Sequence, residues 1–237
     1  MKKLAALSVH LFTSCGIVAG FYAIEHIALG QFSTAMWWMF LAFFIDGIDG
    51  TFARLFKVKE VLPQINGTTI DYVIDFCTYA VIPAFMMYRY PGLVPAEVND
   101  ITAIMVLLVS AMYYGLLGMV SQDMHFVGFP VMWNFVAFLL IFALKAHTWG
   151  DGGAWINFGI LIFFSILHFV PIKFAYPSRA TFLFIPHLIA SIVFVGICPV
   201  ILYFEAQNYL ALNLICLSAV IYFGATAVYT TYFRKED

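Results

Sequence analysis

Long apolar segments follow one another along almost the whole chain, separated by short polar stretches or by stretches rich in Gly and Pro. A helix that spans a membrane needs about 20 mostly apolar residues, and eight segments meet this requirement. We predict these helices at residues 8–30, 34–55, 68–90, 100–121, 128–147, 153–175, 182–204 and 208–232. The pattern therefore predicts an all-α membrane protein, a bundle of eight transmembrane helices that form a single domain over residues 1–237.

The composition agrees with this fold class and excludes some functions. Of the 237 residues, 64% are hydrophobic and 10% are charged, and the mean hydropathy is +0.96. Soluble domains are only about half apolar. The net charge is −2 and no long basic run occurs, so nothing indicates a nucleic-acid partner. The four cysteines lie apart in apolar segments, which is typical of buried thiols rather than of disulfides or zinc ligands.

The distribution of basic residues predicts the orientation in the membrane. An even number of spanning helices places both termini on the same side, and Lys and Arg are enriched in cytoplasmic loops. Nine of the 11 basic residues fall on the side of the termini: Lys2, Lys3, Arg54, Lys57, Lys59, Lys173, Arg179, Arg234 and Lys235. Only Arg89 and Lys145 fall on the opposite side. We therefore predict that both termini and the loop after the second helix face the cytoplasm.

Four aspartates interrupt two neighbouring apolar segments. Asp46 and Asp49 are one turn apart in the second predicted helix, and Asp71 and Asp75 are one turn apart in the third. Each acid at the centre of a spanning helix costs roughly 2.5 to 3.5 kcal/mol on insertion scales, so four of them require cations. Ligand sets made only of oxygen favour Mg²⁺, Mn²⁺ or Ca²⁺ over zinc. Such metals commonly hold substrate phosphates, so the pattern indicates phosphoryl chemistry.

Small residues and one arginine share the face of the first two aspartates. Gly50, Ala53 and Arg54 follow Asp46 at positions i+4, i+7 and i+8. The small side chains leave space beside the helix, and a planar guanidinium suits a phosphate group. The third helix begins with Gly67, four residues before Asp71. The two faces are therefore expected to close on one site.

The complete pattern resembles the signature of the CDP-alcohol phosphotransferase family. It reads Asp46-x2-Asp49-Gly50-x2-Ala53-Arg54, followed by Gly67-x3-Asp71-x3-Asp75. Members of this family are integral membrane enzymes that move a phosphate-bearing group from a CDP-linked donor to an alcohol and release CMP. The resemblance implies a core of six helices, about residues 1–180, with two additional helices at about residues 181–237. It also implies a homodimer.

One departure from the usual pattern indicates a branch of the family. Twelve residues separate Arg54 from Gly67, which is longer than usual. The longer spacer is similar to that of the bacterial phosphatidylcholine synthases, which join CDP-diacylglycerol directly to choline. The segments Val9–Thr13 and Gly128–Asn134 are also similar to that branch. The resemblance thus implies transfer of the phosphatidyl group from CDP-diacylglycerol to choline in a bacterial inner membrane, giving phosphatidylcholine and CMP.

The resemblance also implies a role for each signature residue. The four aspartates would bind two divalent metal ions, Mn²⁺ or Mg²⁺, and Asp75 would also be the catalytic base that removes the hydroxyl proton of choline. The implied CDP-diacylglycerol site comprises Thr13, Gly50, Ala53, Arg54 and Gly67. His10 departs from the family pattern, because relatives carry asparagine at this position.

Choline needs a different kind of recognition, because its cation has no hydrogen-bond donor. Aromatic faces and a carboxylate are the groups that bind such a cation. Five candidates lie near the predicted cytoplasmic ends of helices: Tyr72, Tyr79, Tyr113, Asp123 and Trp133. For each aromatic residue, contact with lipid or packing within the protein is the alternative interpretation.

Three other functions compete with this hypothesis. A transferase of the same family could use serine, glycerol 3-phosphate or inositol phosphate, but these acceptors call for additional basic residues near the site. A cation transporter would also place acids at a cytoplasmic opening. That hypothesis leaves the small residues and Arg54 of the signature unexplained. A purely structural membrane protein is the last alternative.

Overall fold

In a computed structural model of the chain, the structure describes residues 2–176, 182–205 and 209–234. Arg179 and Lys235, which contributed to the predicted orientation, lie outside these residues. The chain divides into two compact units, residues 1–91 and 92–237. The predicted division into a core of about residues 1–180 and two added helices uses another boundary and stays a prediction.

The first unit contains the predicted helices that carry the aspartates. Its helices are α1 (Lys2–Ala28), α2 (Phe32–Leu55), the short α3 (Val58–Val61) and α4 (Gly67–Arg89). Gly30, at φ +73°, ends α1. Its backbone N–H donates to Ile27, and the N–H of Gln31 donates to His26, which is a Schellman motif. The turn is therefore short, and α2 can return antiparallel to α1.

Close packing against α1 positions both helices of the aspartate pattern. On one side, Tyr22 of α1 stacks on Trp38 of α2 with ring centroids 4.8 Å apart. On the other, Gly20 of α1 faces α4, and a Cβ added to Gly20 would lie 2.7 Å from the Cδ1 of Ile82. Small residues of this kind allow helix backbones to approach closely in membranes.

Among its described residues, the second unit contains five further helices and a small sheet. Its helices are α5 (Ala96–Tyr114), α6 (Trp133–Leu144), α7 (Asp151–Leu167), α8 (Phe184–Tyr203) and α9 (Leu210–Tyr232). A 3₁₀ turn, Ala146–Trp149, precedes α7. The strands β1 (His125–Val127) and β2 (Lys173–Ala175) pair antiparallel, with Phe126 opposite Phe174.

Five helices in the described part of the chain are long and apolar enough to cross a membrane: α1, α4, α5, α8 and α9. The apolar helices α6 and α7 are shorter. α2 has 24 residues, and its C-terminal half contains Asp46, Asp49 and Arg54. The chain is thus a mostly helical, multi-pass membrane protein. The count of eight transmembrane helices stays a prediction.

Three predicted helices are shorter in the structure than in the prediction. The segments predicted at 100–121, 128–147 and 153–175 correspond to α5, α6 and α7, and the residues between them form the turns and the small sheet. Gly128 adopts φ +87°, and a Cβ there would collide with the backbone carbonyl of His168. A helix cannot continue through this conformation. The prediction placed a break between residues 121 and 128, and in the structure this break continues to residue 132.

Candidate active site

The aspartates of α2 and α4 meet in the first unit. Asp46, Asp49 and Asp71 each contribute a carboxylate oxygen, and these oxygens lie within 4.8 Å of one another. Asp49 is buried, and Asp46 and Asp71 are partly buried. This confirms the prediction that the polar faces of the two helices close on one site. Three carboxylates at this spacing can bind a metal ion.

Helical spacing in α2 and the N-cap of α4 position these carboxylates. Asp46 and Asp49 are one turn apart near the C-terminal end of α2. α4 begins after Asn66, whose side-chain oxygen accepts a hydrogen bond from the backbone N–H of Thr69 at 3.2 Å. Such an N-cap satisfies a donor that the helix itself leaves unpaired. The cap defines the start of α4 and thereby the position of Asp71, one turn further along.

Asp75 extends the cluster by one more turn of α4. Its carboxyl lies beside the carboxyl of Asp46, and the charge of Asp71 is also close to it. The Oδ1 atom of Asp75 is buried and has no hydrogen-bond partner among the described residues. A buried carboxylate oxygen without a partner is costly unless a cation or a proton compensates it. The arrangement therefore fits a site for divalent cations.

Tyr79 contacts the cluster directly. Its hydroxyl donates a hydrogen bond to Oδ2 of Asp46, with 2.6 Å between the oxygens, and its side chain is only 7% exposed. We predicted Tyr79 as a choline ligand, and sequence reasoning did not find the contact with Asp46. The spacing of four residues between Asp75 and Tyr79 indicated neighbouring positions on the helix, but it did not predict the contact with Asp46.

Two residues of the predicted CDP-diacylglycerol site, Thr13 and Arg54, lie near Asp49 of the cluster. The Thr13 hydroxyl lies beside the carboxylate of Asp49, and the charge of Arg54 is also close to it. Arg54 donates through Nη2 to the Thr51 hydroxyl at 3.1 Å. A Cβ at Gly50 would lie 3.5 Å from Nη1 of Arg54, so the glycine leaves space next to the guanidinium.

The two remaining small residues of the signature pack within the protein. Ala53 packs against a buried cluster that includes Val9, Val58 and Leu62. Gly67 lies against the imidazole of His10. Their predicted contacts with the nucleotide therefore stay predictions, while the packing of both residues helps to hold α1, α2 and the start of α4 together.

The candidate choline ligands are divided between the two units. Tyr72 is 46% exposed on α4 in the first unit. In the second unit, the Tyr113 hydroxyl donates to the backbone oxygen of Val127 at 3.2 Å. Trp133 is fully buried and donates through Nε1 to Ser110 at 2.8 Å. The choline role of all three residues stays a prediction.

Asp123, the fifth candidate, takes part in a polar network of the second unit. Its Oδ2 lies 3.3 Å from Nζ of Lys173 and 3.2 Å from Nδ1 of His125. Burial alone would raise the pKa of this carboxyl, but its contacts with Ser121, Lys173 and His125 outweigh burial and hold the pKa below its usual value. The network links the loop before β1 to β2. The role of Asp123 in binding choline also stays a prediction.

Comparison with known proteins finds several relatives that are named phosphatidylcholine synthase. No family model matches the chain. It is 34% identical over 223 residues to a phosphatidylcholine synthase of Rhizobium meliloti, and the match covers 93% of this chain and 89% of that protein. Phosphatidylcholine synthases of Brucella melitensis and Mesorhizobium japonicum are each 38% identical over 174 residues, or 73% of this chain. The chain spans only 60% and 62% of the length of these two proteins.

Proposed function

The chain belongs to the phosphatidylcholine synthase family, and we propose that it transfers the phosphatidyl group of CDP-diacylglycerol to choline, giving phosphatidylcholine and CMP. One observation carries the proposal: the carboxylates of Asp46, Asp49 and Asp71 converge, with Asp75 beside them, in the order that the CDP-alcohol phosphotransferase signature requires. The relative from Rhizobium meliloti, 89% of which the chain covers, supports this choice of donor and acceptor.

The four aspartates would hold two divalent ions, Mn²⁺ or Mg²⁺. The donor set consists only of oxygen, and its members are close enough to share cations. The buried Oδ1 of Asp75, which lacks a hydrogen-bond partner among the described residues, supports a ligand at this point. When bound, such ions would neutralise the pyrophosphate of the donor and the charge that develops on the departing CMP.

The residues of the chain would supply orientation and proton transfer. Asp75 would accept the hydroxyl proton of choline as that oxygen forms a bond to the phosphorus attached to diacylglycerol. The bond between this phosphorus and the oxygen of CMP breaks, and CMP leaves with the electron pair. Arg54 and Thr13, on the Asp49 side of the cluster, would hold the donor by its phosphates, and Gly50 would leave room for the nucleotide.

The remaining expectations concern the membrane. We infer eight transmembrane helices in a bacterial inner membrane, with both termini and the aspartates toward the cytoplasm, because nine of the 11 basic residues fall on that side. The acyl chains of CDP-diacylglycerol would stay in the lipid while its head group enters the site. The choline cation would meet aromatic residues of the predicted set, and the protein is expected to pair as a homodimer.

A CMP-release assay tests the reaction. Purified protein in detergent receives CDP-diacylglycerol and Mn²⁺, with choline, serine, glycerol 3-phosphate or no acceptor. We expect release that requires choline and that falls by about 100- to 10,000-fold in Asp75→Asn, the range expected when a general base is removed. Asp100→Asn is the matched control, because Asp100 is an exposed acid near the start of α5.

The other outcomes separate the competing hypotheses. Release with serine or glycerol 3-phosphate would keep the family and overturn choline as the acceptor. If folded protein released no CMP with any acceptor, the transfer reaction would be wrong. A cation transporter would then be the next hypothesis, to be tested by uptake of Mn²⁺ into proteoliposomes.

A further inference from the structure

Tyr79 joins α4 to a signature aspartate of α2 by a hydrogen bond. The phenol is buried, and its hydroxyl donates to Oδ2 of Asp46 at 2.6 Å. A carboxylate has two oxygens, so a hydrogen bond to one of them fixes the plane and leaves the other oxygen available to a ligand. Asp46 also lies beside the carboxyl of Asp75 and belongs to the group that can hold a metal ion.

A local change in helix geometry explains how Tyr79 reaches this position. The segment Phe76–Val81, which follows Asp75 directly, is π-helical. Eight residues make about 2.2 turns of an α-helix, whose turn has 3.6 residues, so in a continuous α-helix Tyr79 would lie about 80° around the axis from Asp71. The wider π turn, with its i→i+5 hydrogen bonds, reverses much of this rotation. Tyr79 therefore shares the face of Asp71 and Asp75 that closes on α2.

The packing around the ring also restricts its movement. Tyr79 lies edge-on to Phe43 of α2, with ring centroids 6.4 Å apart and an interplanar angle of 90°. The next residues of α4, Ala80 and Ile82, are buried as well. The phenol is therefore enclosed on the protein side of the cluster, where a side chain can orient a ligand residue. An open aromatic face, which a choline cation would require, is not what this environment provides.

We propose that Tyr79 is a positioning residue for the metal site, one that orients Asp46 through its hydrogen bond and does not bind choline. The inference rests on the proposed function, because it assumes that the aspartates hold divalent ions. It replaces our sequence-based prediction for this residue. Hydrogen bonds of this kind fix the rotamer of a metal ligand, and their loss typically weakens metal affinity roughly 10- to 100-fold.

Tyr79→Phe tests the proposal, because it removes only the hydroxyl. Binding of Mn²⁺ is measured by the electron paramagnetic resonance signal of the free ion in detergent-solubilised protein, and choline dependence is measured in parallel by CMP release. We expect Mn²⁺ to bind roughly 10- to 100-fold more weakly in Tyr79→Phe, with an unchanged KM for choline at saturating Mn²⁺. Tyr88→Phe, near the other end of α4, is the matched control and should bind Mn²⁺ as the original protein does.

Each of the other results has a distinct meaning for the role of Tyr79 or for the proposed reaction. A raised KM for choline with unchanged Mn²⁺ binding would restore the choline role of Tyr79. No change in either quantity would mean that the hydrogen bond is incidental. If the original protein bound no Mn²⁺, both the metal site and this inference would be wrong. If it bound Mn²⁺ but did not use choline, only the proposed reaction would fail, and the Mn²⁺ comparison would still decide the role of Tyr79.

Discussion

The imidazole of His10 occupies the space that any side chain at Gly67 would need. A Cβ at position 67 would lie 2.9 Å from Cε1 of His10 and 3.4 Å from its Nδ1. His10 is buried, and its Nε2 has no hydrogen-bond partner among the described residues. The contact determines how closely the start of α4 approaches α1. Asp71 follows one turn later, so His10 and Gly67 together help to set the position of a signature aspartate.

Gly67→Ala should therefore reduce activity by displacing α4. The added methyl group requires either a movement of the His10 ring or a retreat of the first turn of α4, and small displacements of catalytic groups cost up to about 100-fold in rate. Because His10→Ala removes the obstacle, the double variant should be more active than the product of the two single effects predicts. CMP release is measured for the original protein, the two single variants and the double variant, and comparison of the four rates gives the coupling between positions 10 and 67.

Gly159→Ala is the control for this experiment. Gly159 lies within α7, and a Cβ there would meet nothing within 4 Å. This change should leave activity unaltered. If the effects of Gly67→Ala and His10→Ala were simply multiplicative, the loss in Gly67→Ala would have a cause other than the contact with His10.

Asp71→Asn should stabilise the metal-free protein while it weakens metal binding. The charges of Asp46 and Asp49 lie close to Asp71, and like charges repel strongly where water is scarce. Removing one charge relieves this repulsion. Substitutions at strained functional sites commonly raise the stability of a protein while they lower its activity. We expect a higher Tm than the original protein in EDTA, and a smaller rise of Tm when Mn²⁺ is added. Asp151→Asn, an exposed acid in the first turn of α7, should change neither value. A lower Tm in EDTA would contradict repulsion within the cluster.

Asp123 should make the stability of the protein depend on pH. Its pKa is lowered in the folded protein relative to an unfolded value of about 3.9. Its contribution is therefore fully present above the unfolded pKa and is lost as the pH falls through the folded pKa. We expect the Tm of the original protein to fall more steeply below about pH 4 than that of Asp123→Asn, measured by thermal unfolding in detergent. Asp100→Asn should keep the steeper dependence.

The same variant tests the predicted choline role of Asp123. Loss of the contacts with Lys173 and His125 affects the loop before β1 and should appear in Tm. Loss of a choline ligand would instead raise the KM for choline at neutral pH. A raised KM without any change in the pH dependence of Tm would show that the network contributes nothing measurable to stability.

The aspartate site could be predicted from the sequence because the period of a helix determines which of its residues share a face. Asp46 and Asp49 repeat at i+3, and Asp71 and Asp75 at i+4, so each pair had to share a face in any helix. The cost of four acids in apolar segments then required those faces to meet. The structure confirms this meeting, and it brings Thr13 and Arg54 close to Asp49, while their role in binding the donor stays a prediction.

Features that depend on packing were not predictable in the same way. The strand β2, Lys173–Ala175, fell within the helix predicted at 153–175, and β1, His125–Val127, fell between two predicted helices, so the hydrophobic pattern did not predict that they pair. The π-helical turn after Asp75 has no distinctive sequence. It aligns Tyr79 with the aspartates, which a constant α-helical period does not. The function of Gly67 in packing depends on His10, 57 positions earlier, and no local pattern reports such a contact.

The packing of α1 on α4 should be equally sensitive at Gly20. A Cβ at this position would lie 2.7 Å from the Cδ1 of Ile82, a side chain that is 1% exposed. Gly20→Leu must therefore push the helices apart or force Ile82 out of its rotamer, which costs about 1–3 kcal/mol in a well-packed interior. We expect a Tm several degrees lower by thermal unfolding in detergent.

A second substitution shows whether crowding is the cause. Ile82→Ala creates space opposite Gly20, so the double variant should recover part of the Tm that Gly20→Leu alone loses, although Ile82→Ala by itself is destabilising. Gly196→Leu in α8 is the matched control, since a Cβ there would meet nothing within 4 Å, and its Tm should change little. If the double variant recovered CMP release as well as Tm relative to Gly20→Leu, the packing of α1 against α4 would be linked to the position of the aspartates. An equal loss of Tm in Gly20→Leu and Gly196→Leu would instead show that the leucine itself causes the loss. In that case, the close approach of α1 and α4 would not be what holds the site.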